Sequence, residues 1–165
     1  MVRKMSKRCD ISIRKFKLSD LDTVRKLIQN TIDVCYSSAY SREAIKFFKD
    51  YHSDENILKS AKEGYTIVLK KDNQIIGTGT IVDNHIMRVF VEHDFQKLGF
   101  GKLIMRKLEE KALSTGISVV KLDASLPSKK FYDSLGYVLL EGTFLEVENG
   151  KKLDYYKMEK SLRET

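Results

Sequence analysis

Apolar and polar residues alternate in ISIRKF, residues 11–16, with the period of a half-buried strand. In the next stretch, SDLDTVRKLIQNTI, Val24, Leu27, Ile28 and Ile32 recur at three- and four-residue spacing. That spacing predicts a helix, with Ser19 as its N-cap and Asp22 in its first turn. Ser41 is positioned to cap a second helix, SREAIKFFKDY, and a short third helix is expected over 56–62. Three β-rich runs follow: YTIVLKK, QIIGTGTIV and HIMRVFV, joined by the dipeptide Asp-Asn each time, which predicts an antiparallel meander.

The period then lengthens. In LIMRKLEEKALST, Ile104, Leu108 and Ala112 repeat every four residues, and Gly116 is placed to end the helix. VVKLDA reads as a buried strand, so HIMRVFV, helix and VVKLDA form a right-handed βαβ crossover with two parallel strands. A helix over SLPSKKFYDSLG, ending at Gly136, and a hairpin of TFLEVEN and KKLDYYKME around Asn149-Gly150 complete the chain. The fold class is α/β (α+β): one domain over 1–165, with a core of about 11–162. Its mixed, mostly antiparallel sheet has a central parallel βαβ unit and helices on both faces. The stretch QKLGFGK, residues 96–102, lies where the strand direction changes, and crevices of that kind hold ligands in α/β sheets.

Composition narrows the class. The 165 residues are 42% hydrophobic and 32% charged, a globular mixture with one proline, Pro127, and no repeat. No apolar run is long enough to cross a bilayer, and MVRKMSKRCD is basic without the apolar segment of a secretory signal, so a cytoplasmic protein is expected. Cys9 and Cys35 read as reduced thiols, and no residues at ligand spacing suggest a metal. The net charge of +7 suits nucleic acid, an anionic cofactor or solubility alone, and by itself selects none of them.

A helix N-terminus presents unpaired backbone N–H groups and a partial positive charge, which together receive a phosphate. Gly99 and Gly101 allow close approach of the backbone there, and Lys97 and Lys102 add charge at the rim. A Walker A loop is excluded, since the first glycine is missing and Leu103 follows the lysine; the dinucleotide fingerprint is excluded because residue 104 is isoleucine. On spacing alone, a structural turn and an anion cradle stand about level.

The stretch VFVEHDFQKLGFGKLIMRKLEEKA resembles motif A of the GNAT superfamily of N-acyltransferases, with Gln96, Gly99 and Gly101 filling [Q/R]-x-x-G-x-[G/A]. FYDSLGY, residues 131–137, is similar to the tyrosine-bearing motif B helix, and YYKMEK to the closing strand. The resemblance implies a fold of this class and acetyl-CoA as co-substrate, with no metal. It assigns the pyrophosphate to the backbone of Gln96, Lys97, Leu98, Gly99, Phe100, Gly101 and Lys102, and the pantetheine arm to Val89, Phe90 and Val91, between strands that splay apart. Three positions depart from the pattern: His93 stands where proline is usual, Lys97 where glycine is, and Ser125 where an asparagine contacts the cofactor.

Acyl transfer to an amine needs a neutral nucleophile, stabilisation of the oxygen that gains charge, and a proton for the leaving thiolate. The resemblance makes Tyr132 the general acid, against the bland alternative of a packed aromatic beside Phe131. His85 and Glu92, at the two ends of HIMRVFV, are candidate bases, with His52 and Asp123 behind them; each reads more readily as an ordinary surface or hydrogen-bonded residue, since exposed polar residues at strand ends are common. Tyr36 and Tyr40 either wall the acceptor site or pack between two helices.

The expected function is therefore acetyl transfer from acetyl-CoA to a primary amine of a small molecule or peptide, by direct attack in a ternary complex. The rivals are a non-catalytic acyl-CoA-binding regulator and, further off, a basic nucleic-acid-binding module, for which the charge is too evenly interleaved with acids. No membrane association is expected. The protein would be a monomer or a homodimer, the final hairpin offering an edge to a second sheet.

Overall fold

The structure, a computed structural model, describes residues 9–163. Along them run β1 (Ile11–Lys15), α1 (Leu21–Tyr36), α2 (Arg42–Tyr51), α3 (Asp54–Glu63), β2 (Tyr65–Lys71), β3 (Gln74–Val82) and β4 (His85–Val91). Then come α4 (Phe100–Ser114), β5 (Val119–Ser125), α5 (Lys129–Ser134), β6 (Val138–Glu146) and β7 (Lys152–Ser161). The strands form one sheet in the order β1-β2-β3-β4-β5-β7-β6, antiparallel at every step except β4–β5. The mixed sheet, the meander and the central crossover are those expected from the sequence.

Both faces of the sheet are buried at β2 and β3, which explains why YTIVLKK is apolar almost throughout. Ile67 and Leu69 point to one side, into a core with Ile76 of β3 and Ile104, Met105 and Leu108 of α4. Val68, between them, points to the other side and joins Val24, Ile28 and Ile32 of α1, Ala44 of α2 and Ile57 of α3. Each of the valine, leucine, isoleucine and methionine side chains among them contributes about 1.5–3 kcal/mol by leaving water. The glycines of QIIGTGTIV set the seat of α4: a Cβ on Gly77 or Gly79 would lie 2.8 or 2.6 Å from the Ile104 side chain. Only a bare backbone admits the helix that closely.

Four local expectations are corrected. Ser19 does not cap α1; residues 18–20 form a 3-10 turn and Asp20 takes the N-cap position. The Asp20 carboxylate, buried at 6% exposure, accepts from Arg14 Nη1 and Nη2 at 2.7 and 2.9 Å and from the Lys17 N–H at 2.8 Å. That bidentate bond anchors the chain entry more strongly than a serine would. The third helix starts at Asp54, with Ser53 accepting from the Asn56 N–H. The helix expected from residue 125 is α-helical only from Lys129, because β5 keeps pairing with β7 through Ser125↔Tyr155 and Leu126–Ser128, which includes Pro127, forms a 3-10 turn. The last hairpin does turn at Asn149 and Gly150, both at positive φ (59° and 68°), but β6 already begins at Val138.

Candidate active site and cofactor loop

β4 and β5 share one register pair, His85↔Lys121, supported by a 2.8 Å hydrogen bond from the Lys121 N–H to the Asn84 carbonyl. Beyond it they diverge, as the resemblance implied. A cavity of about 200 Å³ opens beside the gap, bounded by β4, by Asp123 and Ser125 of β5, and by aromatic residues of α1 and α2. The free edge of β4 is aimed at this gap. The Glu92 N–H donates to Ile76 of β3 at 2.8 Å, and successive N–H groups of an extended strand point to opposite sides, so that of Val91 faces away from β3. A buried strand edge of this kind requires a partner.

The gap leads to the loop before α4. Gly99 is the N-cap residue at φ 90°, and a Cβ added to it would meet nothing within 4 Å, so its requirement is conformational and it leaves the approach open. The first intrahelical bond of α4 is donated by Leu103 to the Gly99 carbonyl at 3.2 Å, which leaves the N–H groups of Phe100, Gly101 and Lys102 for a ligand. Gly101 meets a different constraint from the one the sequence suggested: a Cβ there would stand 3.0 Å from the Phe131 ring, so a side chain would press on α5. Lys97 sits at φ 62°, a left-handed conformation that explains why glycine suits this position. Leu98 is 64% exposed, and the side chains of Lys97 and Lys102 are exposed at the rim. Gln96 points inward: its Nε2 donates to the Val91 carbonyl at 2.9 Å and lies 3.6 Å from Cys35 Sγ.

The cavity brings together some of the predicted residues and not others. Tyr132, Tyr36, Ser125, His85, His52 and Asp123 all line it. Tyr132 is held in place by Phe131 and Tyr137, with ring centroids 5.1 and 5.7 Å away, and burial raises its pKa, so the phenol stays protonated. Ser125 Oγ lies 2.6 Å from Ser128 Oγ. His85 Nε2 lies 3.6 Å from Asp123 Oδ2, beyond hydrogen-bond distance, and both side chains are partly exposed. Glu92 is elsewhere, in a separate depression between α1 and the end of β4, facing Gln74 Nε2 at 3.5 Å. Tyr36 lines the cavity, whereas the Tyr40 hydroxyl is already engaged, donating to the Asp154 carbonyl and accepting from the Leu126 N–H, both at 2.8 Å. Those bonds make Tyr40 a tie between α2's approach, β7 and the turn before α5.

Two further residues emerge that sequence reasoning passed over or ranked low. Arg88 lies at a β-bulge, where the β3–β4 register slips between Thr78 and Thr80, with φ 52° and only 7% exposure. The signal was an arginine in the middle of the apolar strand HIMRVFV. His52, 6% exposed, packs edge-on against Phe90 at 5.2 Å, and burial with the nearby Arg88 pushes its pKa down to about 3, so it is neutral. Among the described residues no group of three or more His, Cys, Asp or Glu side chains gathers to hold a metal, and no helix is long and apolar enough to cross a membrane.

Comparison with known proteins agrees with this geometry. The chain resembles the crystal structure of a GCN5-related N-acetyltransferase from Rhodopseudomonas palustris, with a TM-score of 0.84 at 20% identity over 92% of this chain and 95% of that one. It also resembles the PaiA N-acetyltransferase of Thermoplasma acidophilum, solved in complex with coenzyme A, with a TM-score of 0.71 at 20% identity over 92% and 99% of the two chains. In sequence it is 31% identical over 84 residues to the uncharacterized protein YyaT of Bacillus subtilis (strain 168). That match takes in 48% of this chain and 57% of the relative, so it spans little more than half the relative's length. Residues 36–162 match the family described as the Acetyltransferase (GNAT) domain, and the chain belongs to that family.

Proposed function

We propose that the protein transfers the acetyl group of acetyl-CoA to a primary amine, by direct attack within a ternary complex. The observation that carries this reading is the single pairing of β4 with β5 at His85↔Lys121, followed by a gap that ends at the unpaired N–H groups of Phe100 to Lys102. A diphosphate fits those amides, and the backbone of Val89, Phe90 and Val91 is the strand a pantetheine arm would pair with. Lys97 and Lys102 supply charge to the phosphates, and Ser125, at the end of β5, faces the same gap. The Val91 N–H is the candidate donor to the thioester oxygen.

In the cavity, Tyr132 is the general acid. Its raised pKa keeps a proton on the phenol at neutral pH, ready for a departing thiolate. His85, beside Asp123 on the cavity wall, is the better placed of the two bases suggested by the sequence, since Glu92 opens onto a different depression. His52 lines the same wall, but burial and the nearby Arg88 disfavour its protonated form, so it is a poor acceptor of the amine proton.

Thiol release from acetyl-CoA, measured against a panel of small amines and peptide N-termini, tests the reaction, and thermal stabilisation by CoA tests the loop separately. Amine-dependent thiol release with CoA stabilisation is the expected result. CoA stabilisation with no turnover on any amine would leave a binding protein, and the absence of both would remove the reading.

A further inference from the structure

Arg88 is a buried cation without an anion among the described residues. Its Nη1 donates to Ser60 Oγ at 2.6 Å and approaches Met87 Sδ at 3.2 Å, while its Nε is buried with no partner there. No described carboxylate lies within ion-pair distance, and the flat side of the guanidinium is covered by the Tyr51 ring, 5.4 Å from Cζ. A desolvated charge left unpaired is costly enough that proteins rarely keep one, and here the strand is also bent into a left-handed conformation to present it.

Arg88 lines the cavity, on the same strand as the residues that face the β4–β5 gap. We propose that the Arg88 guanidinium binds a carboxylate of the acceptor, so that the substrate is a small amine carrying both a free amino group and a carboxylate. The inference rests on the acyl-transfer reading for the amino group and on Arg88 alone for the carboxylate. A carboxylate suits the site better than a phosphate, because Arg88 is, among the described residues, the one lysine or arginine on the cavity wall, and a fork of two N–H groups matches a planar anion. Phe47, Phe48 and Tyr51 give the rest of the wall an aromatic surface, suited to an apolar body between the two polar ends. At about 200 Å³ the cavity admits an amino-acid-sized molecule and not a folded partner. An extended peptide N-terminus would bring no carboxylate to Arg88 unless its own side chain supplied one.

Matched pairs separate the charge from the shape: phenylalanine with phenylalaninamide, leucine with leucinamide, and 4-aminobutyrate with 4-aminobutyramide. Melting shifts of the full chain with each compound at millimolar concentration are read with and without CoA, alongside thiol release from acetyl-CoA. At least one free acid is expected to stabilise the wild type more than its amide does and, where turnover occurs, to be preferred by about tenfold to a hundredfold in kcat/KM. Arg88→Gln should erase that preference while stabilisation by CoA persists. Arg88→Lys, which keeps the charge but not the fork, should fall between, and it carries the test if the glutamine variant does not fold. Acid-selective stabilisation lost in Arg88→Gln, with no thiol release from any amine, would uphold the carboxylate site and sink the transfer reaction. Equal stabilisation by acids and amides, or a preference that survives Arg88→Gln, would overturn the proposal.

Discussion

The Gln96 side-chain amide lies 2.9 Å from the carbonyl oxygen of Val91, joining the loop that precedes α4 to the last residue of β4. The residue therefore serves the loop's shape, not its charge. Gln96→Ala leaves the Val91 carbonyl unpaired and frees the loop to move, at a cost of about 1 kcal/mol in stability. The expected kinetic effect is a KM for acetyl-CoA raised roughly tenfold with kcat little changed, since the reacting groups are not touched. Steady-state kinetics beside a denaturant melt would check both, and a fall in kcat at constant KM would contradict a positioning role.

Tyr132 is buried among aromatic rings, and its hydroxyl faces the cavity without a hydrogen bond to another described group. Tyr132→Phe keeps the packing and removes only the proton donor. Turnover should drop by about tenfold to a thousandfold, with CoA stabilisation of the melt preserved. Unchanged turnover across the pH range would return Tyr132 to the core.

The two glycines of QKLGFGK should fail differently when replaced. At Gly99, φ 90° penalises any Cβ but open space surrounds it, so Gly99→Asn should cost less than Gly99→Val, asparagine entering this conformation more easily. At Gly101 the obstacle is the Phe131 ring, 3.0 Å from an added Cβ, and Gly101→Ala should destabilise by about 1–3 kcal/mol. Shrinking the neighbour tests the cause: Gly101→Ala combined with Phe131→Leu should recover part of the loss, a non-additivity measurable in a double-mutant cycle. Purely additive effects would mean that Phe131 is not the obstacle.

That distinction between the two glycines marks the boundary of what the sequence made legible. Periodicity located the meander, the crossover and the helices on both faces, because those depend on which residues leave water. The turn glycines were likewise visible as punctuation. Their separate reasons were not, since a glycine required by φ and one required by a ring from α5 look alike in a string of letters. The bulge at Arg88 was hidden for a related reason: a register slip depends on how β3 and β4 meet, and HIMRVFV reads as an ordinary strand with one misplaced charge. Glu92 and His85 looked equivalent as strand ends, and only the fold puts one beside the cavity and the other in a separate depression against α1.

His52 gives a pH dependence whose sign follows from its burial. Its native pKa is about 3, against 6.5 for the free side chain, so the unfolded chain takes up the proton first as pH falls. Stability supported by the neutral imidazole is thus fully present above pH 6.5 and is lost progressively below it, at up to about 1.4 kcal/mol per pH unit. Asp20 acts in the same direction, because Arg14 holds its carboxyl below the usual range, but its contribution begins to fall only near its unfolded value of 3.8. Between about pH 6.5 and pH 5 the histidine effect therefore stands apart, worth about 1–2 kcal/mol. His52→Phe preserves the contact with Phe90, removes a buried Nδ1 that has no partner among the described residues, and should leave the protein at least as stable at neutral pH. Its melts should then be flatter than those of the wild type over the same interval, and parallel curves for the two proteins would show that His52 titrates in the native fold as it does in the unfolded chain.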